Sequence, residues 1–113
     1  MLARAGDISD EEFVTSFTSQ VALELGRIDY AVNCAGIMGD NRRSTESSVG
    51  DFDRINGVNY RGCWLSSRDQ LAQMLKQEPL PSHDASRPGQ RGAIVNIASQ
   101  LALVGRDAAR ELT

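Results

Sequence analysis

A serine hydroxyl stands at the end of an apolar run late in the sequence. Residues 92–105 are GAIVNIASQLALVG, and the segment AIVNIA has the length and composition of a buried strand. Ser99 follows this segment directly. A hydroxyl fixed at a strand end can donate a hydrogen bond to an oxygen on which negative charge develops during a reaction. The alternative is that Ser99 only caps the strand.

A second apolar run, from Ile28 to Cys34, also predicts a short strand and is followed by Ala35 and Gly36. Small residues at a strand end permit the close approach of a ligand, and the amide of Asn33 offers it hydrogen bonds. Asn33, Ala35 and Gly36 are therefore candidate ligand-binding residues. The alternative for Asn33 is a buried amide that pairs with strand backbone.

A helix is predicted before the first strand. Ser9 is its expected N-cap, with Glu12 as the capping-box partner, and Gly26 ends it. One face is apolar because Phe13 and Phe17 recur at helical spacing.

A second, longer helix is predicted between the strands, from Ser48 or Asp51 to about Gln77. Gly57 and Gly62 weaken a helix on propensity, so we expect another backbone to pack closely there. The predicted apolar stripe consists of Phe52, Ile55, Val58, Leu65, Leu71, Met74 and Leu75.

The order helix, strand, helix, strand predicts an α/β fold with a parallel sheet covered by helices. The prolines all lie in the polar segment 78–92, which we expect to be a surface loop. The 113 residues are enough for one small domain. Ligands of such sheets bind beyond the carboxyl ends of the strands, where both candidate segments lie.

Composition excludes several other classes of function. The net charge of −3 offers no basic surface for nucleic acid, and no apolar run is long enough to span a membrane. No signal peptide is evident. Cys34 and Cys63 lie in apolar segments and are expected to be buried thiols, which suits the cytoplasm. His83 lies in a polar loop with no cysteine or cluster of carboxylates nearby, so no metal site is expected.

Four segments in this order resemble the classical short-chain dehydrogenase/reductase family. They are GDIS at residues 6–9, DYAVNCAGI at 29–37, FDRINGVNYRGCW at 52–64 and GAIVNIASQLALVG at 92–105. The second segment departs from the family pattern because Cys34 replaces the second asparagine of Asn-Asn-Ala-Gly. The resemblance implies a Rossmann-type doubly wound sheet, of which this chain carries the middle strands and helices.

The resemblance also implies roles for individual residues. Ser99 would be the catalytic serine, and Asn59 would be the active-site asparagine whose main-chain carbonyl binds a water in a proton relay. Asp7 and Ile8 would meet the adenine of NAD or NADP, together with the turn formed by Asn33, Ala35 and Gly36. The alternatives are a surface amide for Asn59 and a plain turn or N-cap residue for Asp7.

Two motifs of the family are absent from this sequence. The ten glycines include no Gly-x-x-x-Gly-x-Gly spacing. There is also no Tyr-x-x-x-Lys, because the only lysine is Lys76 and Ala72 lies four residues before it. In the family the catalytic tyrosine lies thirteen residues after the serine, at the position that Leu112 occupies here. We therefore expect the middle of a dehydrogenase, cut or mis-spliced at both ends, with a tail from Asp107 that is not in the original frame.

The resemblance predicts an NAD(P)-dependent oxidoreductase that transfers hydride between a nicotinamide and a small-molecule alcohol or ketone. The 113-residue chain itself is expected to be inactive and to bind the cofactor weakly or not at all. The alternative function is an inactive fragment that serves as an oligomerisation or interaction module. Family members are usually homodimers or homotetramers that associate through the helix equivalent to Asp51–Gln77. No nucleic acid or membrane partner is expected.

Overall fold

The computed structural model describes residues 1–39 and 43–99. The predicted order of helices and strands is confirmed, while the predicted apolar run and tail after Ser99 lie outside the described residues. The elements are α1 (Glu11–Leu25), β1 (Tyr30–Asn33), a 3-10 turn (Ser44–Glu46), α2 (Val49–Asn56), a π-helical segment (Gly57–Gly62), α3 (Cys63–Leu75) and β2 (Ala93–Asn96).

Helix α1 begins one residue later than the capping pattern predicted. Its N-cap is Asp10, whose side chain accepts a hydrogen bond from the backbone N–H of Glu12 at 3.0 Å. The prediction of Ser9 as the cap is wrong, because its N–H and hydroxyl both donate to a carboxylate oxygen of Asp7. Gly26 ends the helix as predicted, in the left-handed conformation with φ 84°.

The long second helix is divided into three parts. It starts at the Ser48 cap, whose hydroxyl accepts from the N–H of Asp51 at 3.0 Å. The continuous helix predicted to Gln77 is interrupted by the π-helical segment, which was not predicted. At its end, a Cβ on Gly62 would lie 2.8 Å from Ile8 Cγ2 and 3.0 Å from its carbonyl oxygen. The predicted close approach of another backbone is therefore confirmed at Gly62, whereas Gly57 makes only ordinary contact.

Helices α1 and α3 pack together and supply most of the core. Val14, Leu65 and Met74 are buried, and Ile28 joins them from the segment just before β1. Polar bonds support the same interface, because Thr15 donates to Asp69 at 2.6 Å. The predicted apolar stripe is only partly internal. Its exposed members are Phe52, Leu71 and Leu75, at 65%, 51% and 71%.

Strands β1 and β2 form a two-stranded parallel sheet, as predicted, with Tyr30 opposite Ala93 and Asn33 opposite Asn96. Pairing continues beyond β2, because the N–H of Ile97 donates to the carbonyl of Asn33 at 2.9 Å. One face of the sheet packs toward α3. Tyr30, Val32 and Val95 are 77%, 65% and 52% exposed, so the other face is uncovered within the described part of the chain.

The segment between α3 and β2 is an exposed loop, as predicted, and is closed by a 2.7 Å bond from Leu80 N to Gln90 O. Both cysteines are free thiols, but the prediction that they are buried is wrong for Cys34, which is exposed, while Cys63 is half-buried. Its position just past the end of β1 leaves Cys34 uncovered. None of the helices in the described ranges is long and apolar enough to cross a membrane.

Candidate functional site

The two candidate strand ends lie at one edge of the sheet. Asn33 is the last residue of β1, and Ser99 lies three residues beyond the end of β2. Because the strands are parallel and in register, both residues lie at the carboxyl edge. The backbone bond from Ile97 to Asn33 holds the segment that leads to Ser99 beside the end of β1. Ser99 is exposed, so a ligand at this edge can reach it.

The amide of Asn33 is engaged by other side chains rather than by strand backbone. Its Nδ2 donates to Gln70 Oε1 at 3.0 Å and to Asn96 Oδ1 at 2.8 Å, while its Oδ1 accepts from Gln70 Nε2 at 2.8 Å. Ser67 contributes a hydroxyl at 3.3 Å. The Asn33 side chain therefore holds the end of β1 in place. The exposed groups that a ligand could meet there belong to the residues that follow Asn33 in the chain.

Asn59 holds the turn that follows β1. Its Oδ1 accepts from the N–H of Ile37 at 2.8 Å, and its Nδ2 donates to the carbonyl of Ile37 at 2.9 Å. The side chain thus pairs with backbone as a neighbouring strand would. A Cβ on Gly36 would stand 3.5 Å from this oxygen. Ala35 and Gly36 are exposed, and their small size leaves the turn open to a ligand.

The Asp7–Ile8 segment lies against the π-helical segment that carries Asn59. Ile8 contacts Gly62, and the guanidinium of Arg61 donates to the carbonyl of Ser9. No strand precedes Asp7 in the described structure. The predicted cofactor segment is therefore positioned by contacts with the helix.

Asp7 is an exposed carboxylate at the amino end of this segment. The backbone N–H and the hydroxyl of Ser9, both 2.8 Å from the same oxygen, lower the pKa of Asp7 below its ordinary value. Asp7 is consequently ionised at neutral pH. Such a carboxylate can accept a hydrogen bond from an amino group of a ligand.

An apolar cavity of about 300 Å³ opens between α1 and β1. Its wall includes three of the predicted site residues, Ile8, Asn33 and Ala35. Phe13, Phe17 and Val21 of α1 supply much of the remainder. The cavity runs along β1 and reaches the carboxyl edge of the sheet at one end.

The contacts join the predicted residues into two groups linked by β1 and the turn after it. Ile8, Gly36 and Asn59 meet around the π-helical segment, and Asp7 precedes Ile8 in the chain, whereas Asn33 and the segment leading to Ser99 lie at the ends of the paired strands. Sequence reasoning missed three residues at the second group, Ser67, Gln70 and Asn96. Asn96 had a signal, an amide inside an otherwise apolar strand, but nothing distinguishes Gln70 from the other polar residues of α3.

Comparison with known proteins gives the same fold and family. The short chain dehydrogenase family model matches residues 1–110. A solved structure of an ElxO variant with NADPH bound superposes with a TM-score of 0.73 at 30% identity, covering 95% of this chain and 38% of that one. The fold is thus part of a Rossmann-type α/β sheet with polar residues at its carboxyl edge.

Two curated fungal relatives are similar over most of this sequence. Short-chain dehydrogenase fogB of Aspergillus ruber is 46% identical over 101 residues, which are 87% of this chain and 37% of that protein. Short-chain dehydrogenase srdC of Neurospora crassa is 38% identical over 100 residues, which are 86% of this chain and 37% of that protein. The chain belongs to the short-chain dehydrogenase family and spans little more than a third of the length of these relatives.

Proposed function

We propose that the protein of which this chain forms a part is an NAD(P)-dependent oxidoreductase. It would transfer a hydride between the nicotinamide of NAD or NADP and the carbon of a small-molecule alcohol or ketone. The observation that carries the proposal is the position of Ser99, exposed beyond the carboxyl end of β2 in a segment that Ile97 ties to the end of β1, in a chain of this family. Open α/β sheets bind their ligands at this edge.

Ser99 is proposed to donate its hydroxyl hydrogen bond to the substrate oxygen. Reduction of a ketone moves a hydride to the carbonyl carbon and leaves negative charge on that oxygen, which must then gain a proton. A hydroxyl held at the edge of the sheet stabilises that charge as it forms. Asn59 is proposed to contribute its main-chain carbonyl to the path of the proton. Its side chain already holds Ile37.

The adenine side of the cofactor is proposed to lie along Asp7, Ile8 and the turn of Asn33, Ala35 and Gly36. Two features support this placement. The ionised, exposed carboxylate of Asp7 accepts hydrogen bonds, and the small residues of the turn leave room for a flat ring. The cofactor supplies the hydride, so these residues bind and orient it.

The experiment is a graft. Residues 7–99 of this chain replace the matching segment of the Aspergillus ruber relative, which supplies the remaining two thirds of a complete protein. The proposal predicts that the graft oxidises NADH or NADPH in the presence of a ketone, and that Ser99→Ala removes most of this activity. A folded graft that binds no cofactor would contradict it.

A second candidate function, an interaction module, is favoured by an exposed apolar stripe on the interrupted helix. Tyr60, Trp64, Leu71 and Leu75 are 76%, 56%, 51% and 71% exposed and recur at helical spacing. We expect a second copy of the chain to cover this stripe and to form a homodimer or homotetramer through residues 51–77. Light scattering should then show an oligomer that Trp64→Glu dissociates. A monomeric wild-type chain would refute the module.

The cytoplasm is the proposed location, since the two thiols, Cys34 and Cys63, are both free. Residues 1–113 are proposed to act as one partial domain. Neither nucleic acid nor a membrane is proposed as a partner.

A further inference from the structure

The side chain of Gln70 extends from α3 to the carboxyl end of β1. Its side-chain amide and that of Asn33 form a reciprocal pair, with Gln70 donating at 2.8 Å and Asn33 donating back at 3.0 Å. Both side chains are half-buried. Because partial burial limits competition from water, the two bonds hold the end of β1 in a defined position relative to α3.

The same cluster includes the end of β2. Asn96 Oδ1 accepts from Asn33 Nδ2 at 2.8 Å and from the Ser67 hydroxyl at 3.2 Å. Gln70 and Ser67 lie on neighbouring positions of α3, one turn apart. One helix therefore contacts the last side chain of both strands, and we call the four residues Asn33, Ser67, Gln70 and Asn96 the strand-end cluster.

The strand-end cluster lies next to both functional segments. The turn of residues 34–36 follows Asn33 directly, and Ser99 lies three residues after Asn96. A change in the separation of the two strand ends must therefore move the hydroxyl relative to the turn. The backbone bond from Ile97 to Asn33 joins the strands to each other. The side chains of the cluster add hydrogen bonds between these strand ends and α3.

We propose that Gln70 is a positioning residue, which sets the placement of Ser99 relative to the turn of residues 34–36 through the strand-end cluster. The inference rests on the proposed oxidoreductase function for its catalytic meaning, but the coupling itself is a property of this chain. The hydrogen bonds of the Gln70 side chain go to Asn33, and Asn33 bonds to Asn96, so the effect of Gln70 passes through these two residues. A side chain that only filled space on α3 would show no such coupling.

The coupling is tested by nuclear magnetic resonance on the 113-residue chain. Gln70→Leu removes both bonds to Asn33 while keeping most of the volume. We expect the side-chain amide protons of Asn33 to exchange with water at least about tenfold faster, since a net bond strength of about 1.4 kcal/mol corresponds to that factor. The backbone signals of Ser99 and of residues 34–36 should shift in the same variant.

Gln73→Leu is the matched control. Gln73 lies on the same helix, is also half-buried, and bonds to Gln77 at 3.3 Å instead of to a strand end. It should leave the signals of Ser99 and of the turn in place. Unchanged Ser99 and turn signals in Gln70→Leu, or equal shifts in both variants, would overturn the proposal.

Gln70→Glu is a second test, because lowering the pH should restore the hydrogen bond that this substitution removes. At neutral pH the carboxylate accepts from Asn33 Nδ2 but has no hydrogen to donate back. Below roughly pH 4, where a glutamate is protonated, its hydroxyl can donate to Asn33 Oδ1 and restore the pair. The charged residues next to Gln70 in the sequence are Arg68 and Asp69, which bond to each other and to Glu11 and Thr15 of α1. Wild type measured at each pH is the reference for their titration. Recovery of the wild-type Ser99 signal at low pH supports the proposal, and its absence contradicts it.

The catalytic consequence is separate from the coupling and is measured in the graft. Gln70→Leu should lower kcat at least about tenfold with little change in KM, because a displaced hydroxyl weakens stabilisation of the transition state more than substrate binding. If the graft has no activity with either residue, the oxidoreductase proposal fails while the resonance result stands. An active graft with unchanged kcat would refute the positioning role alone.

Discussion

Side-chain amides bind the backbone on both sides of β1, at Ile28 before it and at Ile37 after it. Gln77 accepts from the N–H of Ile28 at 2.7 Å and donates to its carbonyl at 2.9 Å, and Asn59 makes the same two bonds to Ile37. Each amide thus bonds to one backbone N–H and one backbone carbonyl. Both groups belong to a residue outside the paired strands of the described sheet. This explains why a short strand keeps a defined turn at the carboxyl edge of the sheet.

Asn59→Ala should weaken the turn directly. Two backbone groups lose their partners, so we expect the free energy of unfolding to fall by about 2 kcal/mol, at about 1 kcal/mol for each bond. Chemical denaturation of the chain measures this. Asn56→Ala is the control, because Asn56 bonds only to the carbonyl of Phe52 within its own helix. Equal losses in the two variants would show that the Ile37 contact has no special importance.

For single residues, the sequence predicted their positions along the strands better than it predicted what they contact. Ser99, Asn33 and Gly36 lie at the strand ends as expected, because the change from apolar to small or polar residues marks those ends. The Asn59 side-chain bonds were not predictable, since they depend on how helix and turn are placed in space. The capping prediction for Ser9 failed because Asp10 competes for the same role and Asp7 captures the Ser9 hydroxyl. The catalytic and cofactor roles remain predictions.

Among the secondary-structure elements, the π-helical segment is the one that contacts both the turn after β1 and the Asp7–Ile8 segment. It carries Asn59 toward the turn and presents Gly62 to Ile8. π-helical segments frequently occur at functional sites, although no local sequence pattern announces them. The glycines gave a partial signal, because a residue without a Cβ indicates a close neighbour. The partner of Gly62, Ile8, lies far away in sequence and was not predictable.

Gly62→Ala tests that close approach. The added methyl group would lie within 3.0 Å of two Ile8 atoms, one of them backbone, so a side-chain rotation cannot relieve the clash. We expect a loss of stability of about 1–3 kcal/mol, as for other overpacked sites. Gly50→Ala is the matched control. Its nearest neighbour would be 3.7 Å away, and its helix should be stabilised by up to about 1 kcal/mol. A neutral Gly62→Ala would contradict the described packing.

The contact between α1 and α3 should make stability depend on pH. Partial burial alone would raise the pKa of Asp69, but hydrogen bonds from Arg68 and Thr15 outweigh it and lower the pKa below its ordinary value. A carboxyl group whose pKa is lower in the folded state stabilises the fold above its unfolded pKa of roughly 3.9, and this contribution is lost as pH falls. Asp69→Asn should therefore destabilise the chain at pH 7 and much less at pH 3.

Denaturation of both proteins at the two pH values checks this prediction. Asp7 and Asp84 also have lowered pKa values, through bonds from Ser9 and Ser86 respectively. They are present in both proteins, so the difference between wild type and variant isolates Asp69. A difference that does not shrink between pH 7 and pH 3 would contradict the assignment.

At the scale of the whole molecule, the described chain leaves much apolar surface uncovered. One face of the sheet is exposed, as is the stripe of Tyr60, Trp64, Leu71 and Leu75 on the interrupted helix. Within the described residues the sheet has two strands. Parallel sheets in α/β proteins are normally buried on both faces. The sequence predicted the parallel order from the alternation of helices and strands. It could not show which apolar residues stay exposed, because periodicity marks an apolar face without identifying its partner.

The 113-residue chain alone should bind NAD or NADP poorly. Its sequence lacks the glycine spacing that holds the pyrophosphate and the Tyr-x-x-x-Lys pair that holds the nicotinamide ribose. The loss of several charged hydrogen bonds, each worth roughly 1.5–3 kcal/mol, corresponds to several orders of magnitude in affinity. We expect no thermal shift at millimolar cofactor and no ketone reduction. Micromolar binding by calorimetry would reveal a phosphate site in this chain that the account lacks.

The role of Ser99 is tested by the rate of NADPH or NADH oxidation by the graft, with serine or alanine at position 99. Loss of a positioned donor to the substrate oxygen should lower kcat by roughly 10²–10⁴-fold. Cofactor affinity should stay the same, because Ser99 is not among the residues proposed to hold the adenine. A graft that turns over and loses activity in Ser99→Ala is the predicted result. Equal rates with serine and alanine would contradict the assignment of Ser99 and with it the proposed mechanism.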